Sequence, residues 1–325
     1  MYALAAVLDP DLLHQLARAT FAEMRLAGID AVGEFHYLHH QPDGTPYDDP
    51  NVMGDALISA ARDVGLRICL LDTCYTRGGL DRFRDADADA WATRVSGLRA
   101  GDGVVIGAAI HSVRGVPREQ LATVAQAMPD APLHVHVSEQ PAENEQCLAE
   151  TGLTPVVLLA ESGVWTERTT AVHATHLTES DIATLGAARS FVCFCPTTEA
   201  ELADGIGPSV ALRDAGARLT LGSDSNTVID MFVEARAVEM HERLASGRRG
   251  AWSADQLWAA ATSTGFASLG LSDGPELEVT PSVRTAGSDD PLWSATAADV
   301  VCPDLDPAEV AHDLAVAIDA CWSRT

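Results

Sequence analysis

The 325-residue chain contains no lysine; its 21 basic side chains are all arginine. That excludes Schiff-base chemistry on a lysine amine. It also excludes a lysine-derived ligand bridging two metal ions, so any metal site is expected to hold one ion. Positive charge of any kind is scarce: 47 acidic side chains leave a formal net charge of −26. Such a surface repels phosphates, and nucleic acid is not expected as a partner. No run approaches the ~18 uninterrupted apolar residues of a membrane span. The opening segment, MYALAAVLDPDLLHQLARAT, has no basic leader and no long apolar core, and does not read as a signal peptide. The cysteines are Cys69, Cys74, Cys147, Cys193, Cys195, Cys302 and Cys321, an odd number. A disulfide framework does not suit a chain of this size, and a cytoplasmic location fits better. Cys193 and Cys195 in FVCFCP share one face of a strand. With no second pair beside them, they read as small buried hydrophobes rather than soft-metal ligands.

What is present is alternation. Apolar strands are expected at 31–37, 65–75, 104–112, 133–139, 170–176, 190–196 and 219–225. Helices are expected at 10–27, 50–64, 86–99, 117–128, 142–162, 178–188, 206–215, 229–246 and 253–269. Gly28 ends the first helix, Pro50 and Pro117 suit first turns, Thr178 is a cap and Pro155 breaks the stretch 142–162. Strands apolar along their length and separated by helices make an α/β fold with a covered parallel sheet. The polar groups gather at the strands' C-terminal ends, as on the catalytic face of a (β/α)8 TIM-like barrel. Seven strands are one short of that barrel. Because the chain opens on a helix, the lacking element is taken to be the first strand. An open doubly wound sheet is the runner-up, but no G-x-G-x-x-G follows an early strand. The rhythm stops after residue 272. The expected division is an incomplete hydrolase barrel over 1–272 and a C-terminal loop-and-helix extension over 273–325. The loop, 273–292, is rich in Gly, Pro, Ser and Asp, and a terminal helix is expected at 307–322.

The strand ends carry the chemistry. In LHVHVSE, His134 and His136 are two apart and share a face, read as pointing into the barrel. His136 is nearer the end, where a neutral imidazole can bind zinc, and Glu139 just beyond can move a proton. His173 in AVHATH is either a structural histidine or a catalytic one. Asp224 in LGSDS is either a metal-binding carboxylate or a helix cap. Together these suggest hydrolysis by metal-activated water. Arg114 in IHSVR is either a surface ion-pair partner or a fork for a carboxylate, which points to a small acidic substrate. FHYLHH, with His36, Tyr37, His39 and His40, is read as a loop over the mouth.

GEFHYLHH with DGTPYDDP, IHSVR, LHVHVSEQ, VHATHLT, CPTTEAELADGIGP and LGSDS, in this order, resemble the formimidoylglutamate deiminases of the amidohydrolase superfamily. The most specific run is CPTTEAELADGIGP. The resemblance implies hydrolysis of N-formimidoyl-L-glutamate to N-formyl-L-glutamate and ammonia, in histidine breakdown, with one zinc ion in a (β/α)8 barrel. It implies His136 and Asp224 as zinc ligands, Asp224 also taking the proton of the attacking water. It implies Glu139 at the formimidoyl nitrogen, His173 assisting, and Tyr37, His111 and Arg114 holding the glutamate part. A first barrel strand ending in H-x-H, which would supply two further ligands, is not in this chain, and the small C-terminal sandwich is reduced. A catalytically inactive remnant that binds a ligand or partner, or a sister deaminase of another substrate, are the alternatives. A homodimer is an expectation by analogy with such barrels.

Overall fold

The computed structural model describes residues 2–280 and 290–325. Seven strands form one sheet: β1 (Ala31–His36), β2 (Arg67–Cys74), β3 (Val104–Ile110), β4 (Leu133–Val137), β5 (Thr169–His173), β6 (Phe191–Phe194) and β7 (Arg218–Leu221). They pair in sequence order, every pair parallel. A parallel neighbour is reached only through a crossover, and helices supply one between successive strands. The result is a curled seven-stranded α/β sheet of TIM-barrel type. Strand alternation sorts the side chains. Ile68, Leu70, Leu133, Val135 and Val137 face the helices and join the main core. Cys69, Leu71 and Ala109 face inward and pack with Phe35, Val105 and Leu269.

Among the described residues, β1 pairs only with β2, and β7 only with β6. The helices Ala254–Ala261 and Ser263–Ser268 lie against β7. Leu269, just after them, reaches Gly33 on β1; a Cβ at position 33 would stand 2.6 Å from Leu269 Cδ2. The segment that packs on β7 thus ends in an apolar side chain seated against β1 and its neighbours β2 and β3. The expected single helix over 253–269 is two, because Thr262 leaves helical geometry at φ −126°, ψ −99°. Pro196–Glu201 forms a short helix where none was expected. The terminal helix Pro307–Trp322 packs on Pro10–Leu26 through Leu8, Leu12 and Cys321. The loop expected at 273–292 lies partly outside the described residues. Of a further sheet the described residues show the antiparallel bridge Val279 to Val300. No helix of the described residues is long and apolar enough to cross a membrane.

Gly186, near the end of the helix Glu179–Ala187, lies directly on the backbone of the helix Ser209–Ala215. A Cβ there would stand 2.3 Å from the Ala215 carbonyl oxygen. Backbone cannot swing aside as a side chain can. Gly186→Ala is therefore expected to destabilise by about 2–3 kcal/mol, exceeding the ~1 kcal/mol that alanine gains in a helix. Urea denaturation would read this as a lowered midpoint at unchanged slope.

Candidate active site

Alternation along β4 sends His134 and His136 inward, but to different depths. His134 is a lower-layer group: its Nε2 is 2.9 Å from the Ser268 carbonyl and 3.1 Å from Thr170 Oγ1. His136 stands above it. Its Nδ1–H donates to the His111 carbonyl at 2.8 Å, which fixes the tautomer and leaves the Nε2 lone pair free. Phe35 covers one side of the ring at 4.1 Å. Burial, together with the neighbouring His111 and His173, pushes the His136 pKa well down, so the ring is neutral and able to bind a metal.

His173 arrives by a different route. In the β4–β5 register it is the partner of Val137, which faces the helices. Simple alternation would send His173 the same way. Its φ of 67°, followed by 50° at Ala174, breaks the alternation, and the ring stacks at 5.6 Å on His136. Such left-handed geometry is uncommon outside glycine. It recurs at Ser138 after β4 and at Asp224 after β7. Three strand ends thus store backbone strain where polar groups converge.

Around His173 the charges are negative. Its Nδ1–H faces Glu199 Oε1 at 3.4 Å, and its Nε2 lies 3.9 Å from both Glu139 Oε1 and Asp224 Oδ2. Burial alone would lower the His173 pKa. The hydrogen bond to Glu199 and the charges of Glu139 and Asp224 outweigh it and lift it to about 9. Glu139 and Asp224 are themselves raised, chiefly by burial, against the pull of His173. The mouth thus sets an imidazolium beside carboxyl groups held ready to exchange protons.

Beside these lie Tyr37, His111 and Arg114. The Tyr37 and His111 rings are 5.4 Å apart, and His111 is 5.5 Å from His136. Burial, helped by Arg114, pushes His111 down to about 4. Arg114 Nη2 is 3.7 Å from Glu139 Oε2. The eight residues singled out from the sequence, Tyr37, His111, Arg114, His134, His136, Glu139, His173 and Asp224, therefore lie on the inner face and mouth of one sheet. His136 Nε2 and the Asp224 carboxylate are donors suited to a metal ion, and they are two where a structural zinc site has four. The tight clusters of possible metal ligands among the described residues include neither of these two: one is His36 with His39 and Asp72, the other, at the mouth itself, His173 with Cys195 and Glu199.

The reading of FHYLHH as a mouth loop needs correction. Only Phe35 and Tyr37 join the ring cluster. His36, His39 and His40 are buried. His39 Nε2–H donates to the Thr73 carbonyl at 3.0 Å, and His40 lies 3.4 Å from Asp85. They belong to a charged network on the helix side, because His36 is the partner of Asp72, which faces Trp91 and Arg94. Sequence reasoning missed Glu199. It sits on the short helix opened by Cys195–Pro196, accepts the Cys195 amide at 2.9 Å and orients His173. Its signal was there, in a glutamate three residues into a proline-opened turn.

A model of the amidohydrolase family matches residues 2–276. Formimidoylglutamate deiminase of Pseudomonas aeruginosa is 34% identical over 262 residues, 77% of this chain and 58% of that protein. A 5-methylthioadenosine/S-adenosylhomocysteine deaminase of Halobacterium salinarum is 33% identical over 271 residues, covering 79% of this chain and 58% of its own. Among solved structures, an amidohydrolase from Brucella melitensis superposes with a TM-score of 0.88 at 29% identity, over 99% of this chain and 81% of that one. This chain thus spans somewhat more than half the length of the two deaminases.

Proposed function

This chain belongs to the amidohydrolase family, and we propose that its mouth serves the hydrolytic deimination of N-formimidoyl-L-glutamate to N-formyl-L-glutamate and ammonia. The observation that carries this reading is Arg114, set beside Glu139 and near His111, whose ring meets Tyr37. A guanidinium at the mouth suits a substrate that ends in carboxylates. The similarity to formimidoylglutamate deiminase agrees with it.

His136 Nε2 and the Asp224 carboxylate would hold one metal ion, which we take to be zinc. A bound zinc ion lowers the pKa of water toward ~7. Asp224 would accept a proton from the attacking water as that water's oxygen bonds to the amidine carbon. Glu139, raised by burial, delivers a proton to the nitrogen. The C–N bond would then break and ammonia leave, both protons of the water having passed to the nitrogen by way of Asp224 and Glu139, and the oxygen remaining as the formyl group. His173, kept charged by Glu199, balances the two carboxyl groups and steadies negative charge as it develops.

The test is ammonia release by the purified, zinc-supplemented chain from formimidoylglutamate and, in parallel, from 5′-methylthioadenosine. Turnover confined to formimidoylglutamate is expected. Arg114→Ala should raise its KM at least ~10-fold, the loss of one charge-assisted contact. Release from the nucleoside alone would give the site to a sister deaminase, and release from neither would leave this chain a binding protein.

A further inference from the structure

The terminal helix Pro307–Trp322 is apolar on two faces. Val310, Leu314, Ala317 and Cys321 recur at helical spacing and form the inner face, which packs on the helix Pro10–Leu26. Ion pairs from Arg18 to Asp313, at 2.9 Å, and from Arg324 to Asp9 tie this side down. A second stripe lies about 100° further round: Ala308, Ala311, Ala315, Ile318 and Trp322, spaced by three and four residues. All five are exposed, Ile318 at 40% and Trp322 at 60%. A surface helix of a globular protein ordinarily has one apolar face. The inner face already docks this helix, so the outer one is surplus to the fold. Contiguous exposed apolar surface of this kind marks an interaction site.

The order of residues along the stripe indicates what covers it. Its first half is small and its second half large. A second copy turned end for end about Ala315 therefore sets large on small. Trp322, seven residues on, meets Ala308, seven back, and Ile318 lands beside Ala311. Ala315 meets its own counterpart, where two methyl groups let the helices approach closely. The charges on the flank also match. His312 and Asp319 lie on the same side of the stripe, three residues back from Ala315 and four on. Two-fold antiparallel pairing puts His312 of each copy beside Asp319 of the other, so an imidazole N–H faces a carboxylate twice. We infer that the chain self-associates through this face, as a two-fold dimer with antiparallel terminal helices. At a net charge of −26, most other faces would set acid against acid; the stripe itself carries no formal charge. One helix pair buries less than the ~1,200 Å² of a stable interface, which makes the dimer a weak one. None of its residues is among the eight at the mouth, so association does not depend on the proposed reaction.

The experiment is sedimentation velocity of the full chain from about 1 μM to about 1 mM. A monomer–dimer equilibrium with Kd of about 1–100 μM is expected. Ala315→Glu, which sets two carboxylates face to face on the two-fold axis, should weaken it at least ~10-fold. His312→Glu, which faces Asp319 of the other copy, should weaken it as well, and His312→Glu with Asp319→Arg should restore it. All these positions are exposed, and thermal melts should show every variant folded. A chain that stays monomeric to about 1 mM would overturn the inference. So would a dimer unaffected by Ala315→Glu, which would lie on another face, or a charge swap that associates no more tightly than His312→Glu alone, which would refute the antiparallel register.

Discussion

Arg94→Met should remove about 3–5 kcal/mol of stability, a large part of what a folded domain has. Arg94 is 7% exposed and stands between two buried carboxylates. It forks onto Asp72 at 2.8 and 2.9 Å and reaches Asp85 at 2.8 Å. Trp91 Nε1–H also donates to Asp72, at 2.9 Å. Without Arg94, two carboxylates remain in a dry space with no cation between them. That is the costly half of a buried ion pair, since desolvation is kept and attraction lost. Neutralising the carboxylates as well, in Arg94→Met with Asp72→Asn and Asp85→Asn, should recover most of the loss. Urea denaturation of the single and triple variants at pH 7 decides it; a single-variant loss under ~1 kcal/mol would sink the idea. The pH dependence follows. Burial would raise the Asp85 pKa, but hydrogen bonds from His40 and Arg94 prevail and hold it at about 2. A depressed carboxyl gives stability that is present above its unfolded value of 3.8 and lost as pH falls through about 2. Arg94→Met should lose that acid step, which an acid titration followed by circular dichroism would read.

Much of this was legible in the chain and some was not. β2, β3 and β4 announce themselves because both their faces are buried, so Ile68 to Leu71 and Leu133 to Val137 are apolar or inward-facing histidine. Period two correctly paired His134 with His136, because β4 obeys it. It says nothing of His173, whose ring is aimed by a left-handed backbone torsion that no residue type in AVHATH signals. FHYLHH misled for a related reason. Its histidines read as a mouth loop in sequence, but their surroundings come from Asp72, Asp85 and Arg94, tens of residues away. A charged network whose members lie on β2, on a loop and on the helix Ala88–Val95 has no local pattern.

Glu199→Gln should change how His173 titrates, with the protein still folded. Glutamine can keep the hydrogen bond from the Cys195 amide through its carbonyl oxygen. It cannot supply the negative charge 3.4 Å from His173 Nδ1. Removing an adjacent opposite charge lowers a histidine pKa by about 1–3 units, so the midpoint should fall from about 9 toward the ordinary 6.5. The remaining charges of Glu139 and Asp224 keep the fall from being complete. The sign for stability is the reverse of the Asp85 case. A raised histidine gives stability that is fully present below the unfolded value of 6.5 and lost as pH climbs through about 9. The displacement of about 2.5 units between these values is worth on the order of 3 kcal/mol. The native chain should therefore weaken between about pH 6.5 and 9, and Glu199→Gln should flatten that slope. Imidazole resonances of the zinc-free protein followed from pH 5 to 10, beside urea midpoints over the same range, measure both. If the His173 midpoint stays in place when Glu199 loses its charge, the electrostatic picture of the mouth is wrong, and with it the role given to this carboxylate in steadying the imidazolium.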